Sequence, residues 1–285
     1  MAGKISFFSK DEIECPVCQE KFQRESLLTG RGRLNAGELT DELRRIYIPT
    51  EKYGKVNPLL YPITTCPQCF YSTYPQDFMS VPEKALDPLK QDIANRLKFI
   101  RDLFDTCNFR TERGLKEGIA SYLLSIYSYA FFPSRFAPSI KKALSAIRAA
   151  WLLSDLFNDS QNEMWESFQN LMYKRAFTLY VEAFDMMEKG RETVDTLKRF
   201  GPDLDKDYGY DGFLYLYVYL FYNYGLEEIS DKQEKLQKID KFKIIVSKVF
   251  GIGKSSRDKT VFLLDKARAM YDKLTDLQKS IAENE

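Results

Sequence analysis

The sequence predicts a mainly α protein, with a small loop-and-strand module at its N-terminus and an array of helical hairpins behind it. Three observations lead there. Cys15-Pro-Val-Cys18 and Cys66-Pro-Gln-Cys69 repeat one pattern, and up to about residue 80 short apolar pieces alternate with Gly and Pro. Beyond Pro82, apolar residues recur at the three-and-four spacing of helix faces to the end of the chain. The expected division is therefore a four-cysteine module over residues 1–80 and an α-helical domain over 81–285.

In the first part, Ile5 to Phe8, Phe22, Leu59 to Ile63 and Phe70 to Tyr74 are the apolar pieces, set among Gly30, Gly32, Gly37, Gly54, Pro49, Pro58, Pro62 and Pro75. Such pieces form short strands and turns, and only Glu38 to Ile46 suggests a helix. A segment this poor in continuous apolar surface buries too little to fold unaided, and a bound metal is one of the usual remedies.

In the second part, Leu115, Ile119, Tyr122, Leu123, Ile126 and Ala130 share one helix face, and Ile140, Leu144, Ile147 and Trp151 another. Glu163 to Lys189 carries a stripe of Trp165, Phe168, Met172, Ala176, Leu179, Tyr180, Ala183 and Met187. It opens on Ser160-Gln-Asn-Glu163, which fits a capping box, and stops at Gly190. Gly201-Pro202 marks a further break. Phe213 to Tyr224 alternates tyrosines as a strand would but lies among helices with no partner strand in reach, so it is expected as a buried helix. The last face comprises Leu264, Ala267, Tyr271, Leu274, Leu277 and Ile281. Gly225-Leu-Glu-Glu-Ile229 resembles the turn between the two helices of a tetratricopeptide repeat, and Ala143 to Asp185 resembles such a repeat in loose form.

Two Cys-x-x-Cys steps are the ligand set of a tetrahedral metal site, because a tight turn turns both sulfurs to one side and Pro after the first Cys fixes φ. Cys15, Cys18, Cys66 and Cys69 are thus the expected metal ligands, in a zinc-ribbon-like arrangement. Zn2+ is expected on availability, although the same four thiolates also accept iron. Four thiolates leave no open position, so the metal is expected to be structural. The 47 residues between Cys18 and Cys66 must loop out and return, and Gln19 and Phe70 stand where glycine often provides a positive φ. Cys107, alone in its segment, is expected as a small core side chain.

Two near-motifs fail. Asp203-Leu-Asp-Lys-Asp207 has the carboxylate spacing of a calcium loop, but Tyr208 replaces the turn-making Gly and Leu214 the bidentate Glu. Gly251-Ile-Gly-Lys-Ser255 lacks the first Gly of a phosphate-binding loop, because position 248 is Lys, and no strand precedes it.

Composition narrows the function. The chain has no histidine, which removes the commonest general acid-base group, and no nucleophile turn or paired-carboxylate signature replaces it, so no catalytic role is expected. Forty-two Lys and Arg against 41 Asp and Glu leave a net charge of +1, too weak a field to make nucleic acid the default partner. The longest apolar run, Phe213 to Tyr222, is ten residues, about half a membrane span, and the opening residues Met1 to Asp11 have too few apolar residues before charge intervenes to be expected as the h-region of a secretory signal. A cytoplasmic protein with reduced thiols is expected.

Glu14-Cys-Pro-Val-Cys-Gln-Glu-Lys-Phe22, Asn57-Pro-Leu-Leu-Tyr61 and Thr65-Cys-Pro-Gln-Cys-Phe-Tyr71 together resemble an uncharacterised bacterial family, a domain of unknown function. Its members have a Cys-Pro-x-Cys pair followed by Phe, an Asn-Pro-x-x-Tyr step, a second pair and tetratricopeptide-like helices. The chain departs from it at Gln19 and Phe70, where the family usually has Gly. The resemblance implies a metal-stapled module joined to a helical interaction domain and brings no activity with it. The leading expectation is a scaffold or adaptor that receives a protein or peptide, since stacked helix pairs form concave faces. Two alternatives stay open. One is a nucleic-acid-associated protein using Arg24, Arg31, Arg33, Arg44 and Arg45; the other is a thiol redox sensor.

Overall fold

The computed structural model describes residues 3–193, 201–251 and 260–283. The chain divides into two compact units, Met1–Gly37 with Tyr47–Thr196, and Glu38–Ile46 with Leu197–Glu285.

The first unit begins with a hairpin. Strand β1 (Ser6–Glu14) pairs antiparallel with β2 (Lys21–Leu27), in register from Ser6 opposite Leu27 to Glu14 opposite Lys21, with a bulge between Phe8 and Glu12. A second, minimal hairpin joins β5 (Thr64–Thr65) to β6 (Ser72–Thr73). Isolated hairpins are marginal in water, so both depend on what they touch. The helices of this unit are α1 (Pro75–Phe78), α2 (Glu83–Gln91), α3 (Ile93–Phe104), α4 (Leu115–Tyr129), α5 (Pro138–Ser160) and α6 (Glu163–Glu188), and β6 packs on α4 and α1. Phe78 of α1 meets Phe22 edge-on at 5.8 Å and Tyr71 at 4.9 Å.

Helix α5 is the axis of this unit, buried almost continuously from Pro138 to Leu153, with α4 and α6 both packed against it. Beneath the hairpins, Gly118 of α4 is needed for close approach: a Cβ there would lie 2.6 Å from Leu60 and 3.0 Å from Leu152. The α6 stripe lies where the periodicity puts it for Trp165, Met172, Ala176, Leu179, Tyr180 and Ala183, while Phe168 and Met187 are only half-buried. The expected capping box at Ser160 is displaced. Ser160 Oγ bonds back to the Leu156 carbonyl and stays in α5, Gln161 turns the chain at φ 54°, and Asn162 caps α6 by accepting from Met164 N–H at 2.9 Å. Gly190 follows the end of α6 at φ 62°.

The second unit holds α7 (Gly209–Leu220), α8 (Lys232–Phe250) and α9 (Val261–Glu283). Phe213 to Leu220 is buried helix, prolonged by a π turn over Phe221–Gly225. The buried face of α9 is Leu263, Ala267, Met270 and Leu274, so the expected stripe keeps its period but is rotated: Leu264 and Tyr271 are half-buried. Gly251 caps α8; the rest of the Gly251–Ser255 near-motif lies outside the described residues.

The helix expected over Glu38 to Ile46 is instead a hairpin, β3 (Ala36–Leu39) to β4 (Arg45–Tyr47). Leu39, Leu43 and Ile46 imitate helical spacing, but Leu43 takes φ 59°, which closes a turn in which Leu43 N–H bonds to Thr40 O and Thr40 N–H to Arg44 O. Partners in its own unit hold the turn there. Arg45 N–H donates to Asp203 at 3.0 Å, its guanidinium pairs with Asp205 at 2.7 Å, Tyr215 donates to the Asp41 carbonyl at 2.8 Å, and Lys266 pairs with Asp41. The acidic loop is thereby occupied: Asp203 also accepts from Leu204 and Asp205 N–H, and Asp207 from Gly201 and Gly209 N–H.

Buried charge fixes α1 to α4 and α5. Lys141, 1% exposed, donates to Asp77 at 2.5 Å, and Tyr129 donates to the same carboxylate oxygen at 2.6 Å while its own oxygen accepts from Tyr74 N–H. Removing one partner of such a pair strands the other. Asp77→Ala is expected to lower unfolding free energy by about 3–5 kcal/mol, and the double replacement Asp77→Leu, Lys141→Met by clearly less, read from urea midpoints.

Glu192 caps α5 by accepting from Ser139 N–H at 3.1 Å, and burial holds its carboxyl above the ordinary value of 4.5. Folding therefore favours its neutral form. The penalty is complete above the folded-state pKa and vanishes below the ordinary one, so Glu192→Gln is expected to match or exceed the wild type in stability at neutral pH, with the margin closing as pH falls to about 4.

Candidate metal centre

Each cysteine pair sits at the tip of a β-hairpin, and the two tips have the same backbone. Cys15 N–H bonds to Glu20 O at 2.8 Å and Gln19 N–H to Cys15 O at 2.8 Å; in the other knuckle Cys66 N–H bonds to Tyr71 O at 2.9 Å and Phe70 N–H to Cys66 O at 3.0 Å. Gln19 and Phe70 take φ 64° and 57°, the left-handed geometry that the missing glycines led one to expect. At the second tip Phe70 gains a contact in exchange, because its ring meets Phe109 edge-on at 5.5 Å. The same loop serves the first tip, where Arg110 pairs with Glu20 at 2.6 Å.

The tips bring the four sulfurs together. Cys15 Sγ lies 3.7 Å from Cys69 Sγ and Cys18 Sγ 3.6 Å from Cys66 Sγ, with all four within 4.8 Å of one another. A disulfide needs about 2.05 Å, whereas four bonds of about 2.3 Å to a central ion place sulfurs roughly 3.8 Å apart. The spacing thus fits a tetrahedral ion, and both short contacts cross from one knuckle to the other. Cys15, Cys66 and Cys69 are buried and Cys18 is partly exposed. Among the described residues no carboxylate joins the group.

Without an ion, so many thiols cannot all ionise. Hydrogen bonds from Cys15 and then Cys69 pull the Cys66 thiol down to about 2, helped by the N–H groups of Cys69 and Gln68 and opposed by burial. The bond to Cys66 pushes Cys15 up to about 12, and bonds to Cys15 and Cys66, with burial, push Cys69 up. Cys66 is thus the favoured thiolate, with Cys15 and Cys69 as its donors. A divalent cation would replace the remaining protons, which is the chemistry this donor set offers.

The helices hold the knuckles through backbone carbonyls. Arg96 of α3, fully buried, donates from Nε to Cys69 O at 3.1 Å and from Nη1 to Leu89 O at 2.9 Å. Arg113 donates to Leu60 O and Ile63 O at 3.1 and 2.9 Å and faces buried Glu25, which also accepts from Ser6. Tyr122 donates to Leu59 O at 2.9 Å. Of these groups only Tyr122 was placed from sequence, as a member of a helix face, yet a signal existed for the charges: Arg96 occupies the buried face of α3 with Ile100 and Phe104, and Lys141 follows Ile140 on a buried helix.

Other expected residues lie apart. Cys107 is half-buried and outside the cluster, its thiol pushed up to about 12 by burial. Of the five arginines, Arg24, Arg31 and Arg33 belong to the first unit, Arg44 and Arg45 to the second. Arg33 is spent on Lys4 O and the Tyr53 ring. Among the described residues no helix is long and apolar enough to cross a membrane.

Fold and site define a mainly helical protein with a hairpin-borne four-cysteine cluster that can hold a metal ion. The chain belongs to a family described as an uncharacterized protein conserved in bacteria (DUF2225), whose pattern matches residues 8–274. It is 40% identical over 279 residues to an uncharacterized protein of Borreliella burgdorferi, covering 98% of this chain and 99% of that one. No solved structure matches it.

If the four sulfurs are ligands, one metal ion per chain is expected by elemental analysis. Cys66→Ser is expected to lose it, with a fall in the unfolding midpoint and exposure of Cys15, Cys18 and Cys69 to thiol reagents.

Proposed function

We propose that the protein is a non-catalytic adaptor of the cytoplasm, in which structural Zn2+ held by Cys15, Cys18, Cys66 and Cys69 fixes the N-terminal hairpins and a protein or peptide partner binds the folded whole. The observation that carries this reading is the closed ligand set: four thiolates at tetrahedral spacing leave no position for a reacting group. The absence of histidine from the chain supports it. A further element of the reading is that the helices are hairpins of tetratricopeptide-like topology. Its supports are the packing of α4 on α5, α5 on α6, α7 on α8 and α8 on α9, and the position of Gly225–Glu228 between α7 and α8. Helices α5 and α6 together span 138–188, more than the roughly 34-residue repeat, so the likeness concerns topology alone.

A peptide surface is available beside the second knuckle. Phe8, Phe22, Pro67 and Phe109 line a cleft of about 390 Å3 together with the polar Glu12, Lys21, Gln23 and Arg110. Crosslinking of the zinc-loaded chain in its native cells is expected to yield a protein partner whose crosslinks map to this face and disappear in Cys66→Ser. Crosslinks scattered equally in both proteins, or small-molecule turnover by the pure protein, would reject the adaptor.

A further inference from the structure

A divalent ion with four thiolates carries a net double negative charge, and here three of the four ligands are buried. Buried charge is tolerated only when it is paired and hydrogen-bonded, so such a centre needs positive charge close at hand. Arg96 is a fully buried cation attached directly to a ligand residue: Nε donates to the Cys69 carbonyl at 3.1 Å, which keeps the guanidinium within about 8 Å of the Cys69 sulfur by covalent geometry alone. Its own neutralisation is incomplete. Asp92 approaches only Nη1, at 3.3 Å, and also accepts from Asn95, while Nη2 is buried with no hydrogen-bond partner among the described residues.

The remaining bond of the guanidinium reaches the far side of a helix corner. Nη1 also donates to Leu89 O near the end of α2, and Asp92 is the residue between α2 and α3. One planar cation therefore touches the second knuckle, the end of α2 and the start of α3. We propose that Arg96 is the positioning residue of the metal centre: it holds the Cys66–Cys69 knuckle in its binding shape, supplies the counter-charge to the tetrathiolate, and so ties metal occupancy to the order of the α2–α3 corner. This rests on the metal reading above and adds the residue through which the ion acts on the helices.

The test compares zinc transfer from the loaded full-length chain to a colorimetric chelator in the wild type, Arg96→Lys and Arg96→Gln. Residues that support metal ligands typically change affinity by about 10–100-fold, so Arg96→Gln is expected to release zinc at least about tenfold faster, while Arg96→Lys, which keeps the charge but not the fork, stays within about threefold of the wild type. Equal retention in Arg96→Gln and the wild type overturns the proposal, as does a lysine variant as leaky as the glutamine one. A wild type that carries no zinc refutes the metal reading itself, which is a different result. Should neither variant fold, hydrogen exchange on the wild type decides: zinc removal is expected to speed exchange of amides 89–96 while leaving those of 143–150 in α5 protected, and unchanged exchange at 89–96 overturns the proposal.

Discussion

The structure of the first unit turns on the convergence of four sulfur atoms from two hairpin tips that are far apart in the chain. Neither hairpin has a hydrophobic face large enough to persist alone: β5 and β6 are two residues each, and all of β1 after Ser6 is exposed or half-buried. Cross-linking the tips through an ion would limit both hairpins at once. Since the entropic cost of closing a loop rises only as the logarithm of its length, the long segment between the knuckles adds little to that cost.

A second constraint follows from the first. Residues 57–74 run through buried ground with almost no regular structure, so their carbonyls need donors that a sheet would otherwise supply. Side chains of the helices and of the loop before α4 supply them: Tyr122 to Leu59, Arg113 to Leu60 and Ile63, and Arg96 to Cys69. Cations rather than neutral donors do most of this work; Arg113 faces Glu25, while Arg96 meets Asp92 through one nitrogen alone. The docking of the knuckles on the helices is thus specified by directional bonds as well as by the aromatic packing of Phe22, Tyr71 and Phe78.

This division explains what could be read from the chain. The metal ligands were legible because their spacing expresses a local backbone shape, and Gln19 and Phe70 disclosed the positive φ for the same reason. The long helices were legible through periodicity, which survives even where the face is rotated, as on α9. The hairpin at 38–46 was not, because Leu39, Leu43 and Ile46 satisfy a helical spacing and what overrides it is Asp203, Asp205 and Tyr215, more than 150 residues away. Arg96 and Lys141 escaped notice for a related cause: a charged residue on an apolar face acquires meaning only once its partner is in place.

The loop carrying Phe109 and Arg110 lies against both knuckles, one through a ring and the other through an ion pair. Because Phe70 occupies a backbone position where glycine would be free, its side chain is committed to that loop, and glycine there would exchange backbone relief for an empty space under Phe109. Positions 70 and 109 are therefore bound to drift together: relatives with glycine at the knuckle should carry a smaller or differently aimed residue in the loop, whereas those with an aromatic at one should have a large apolar neighbour at the other.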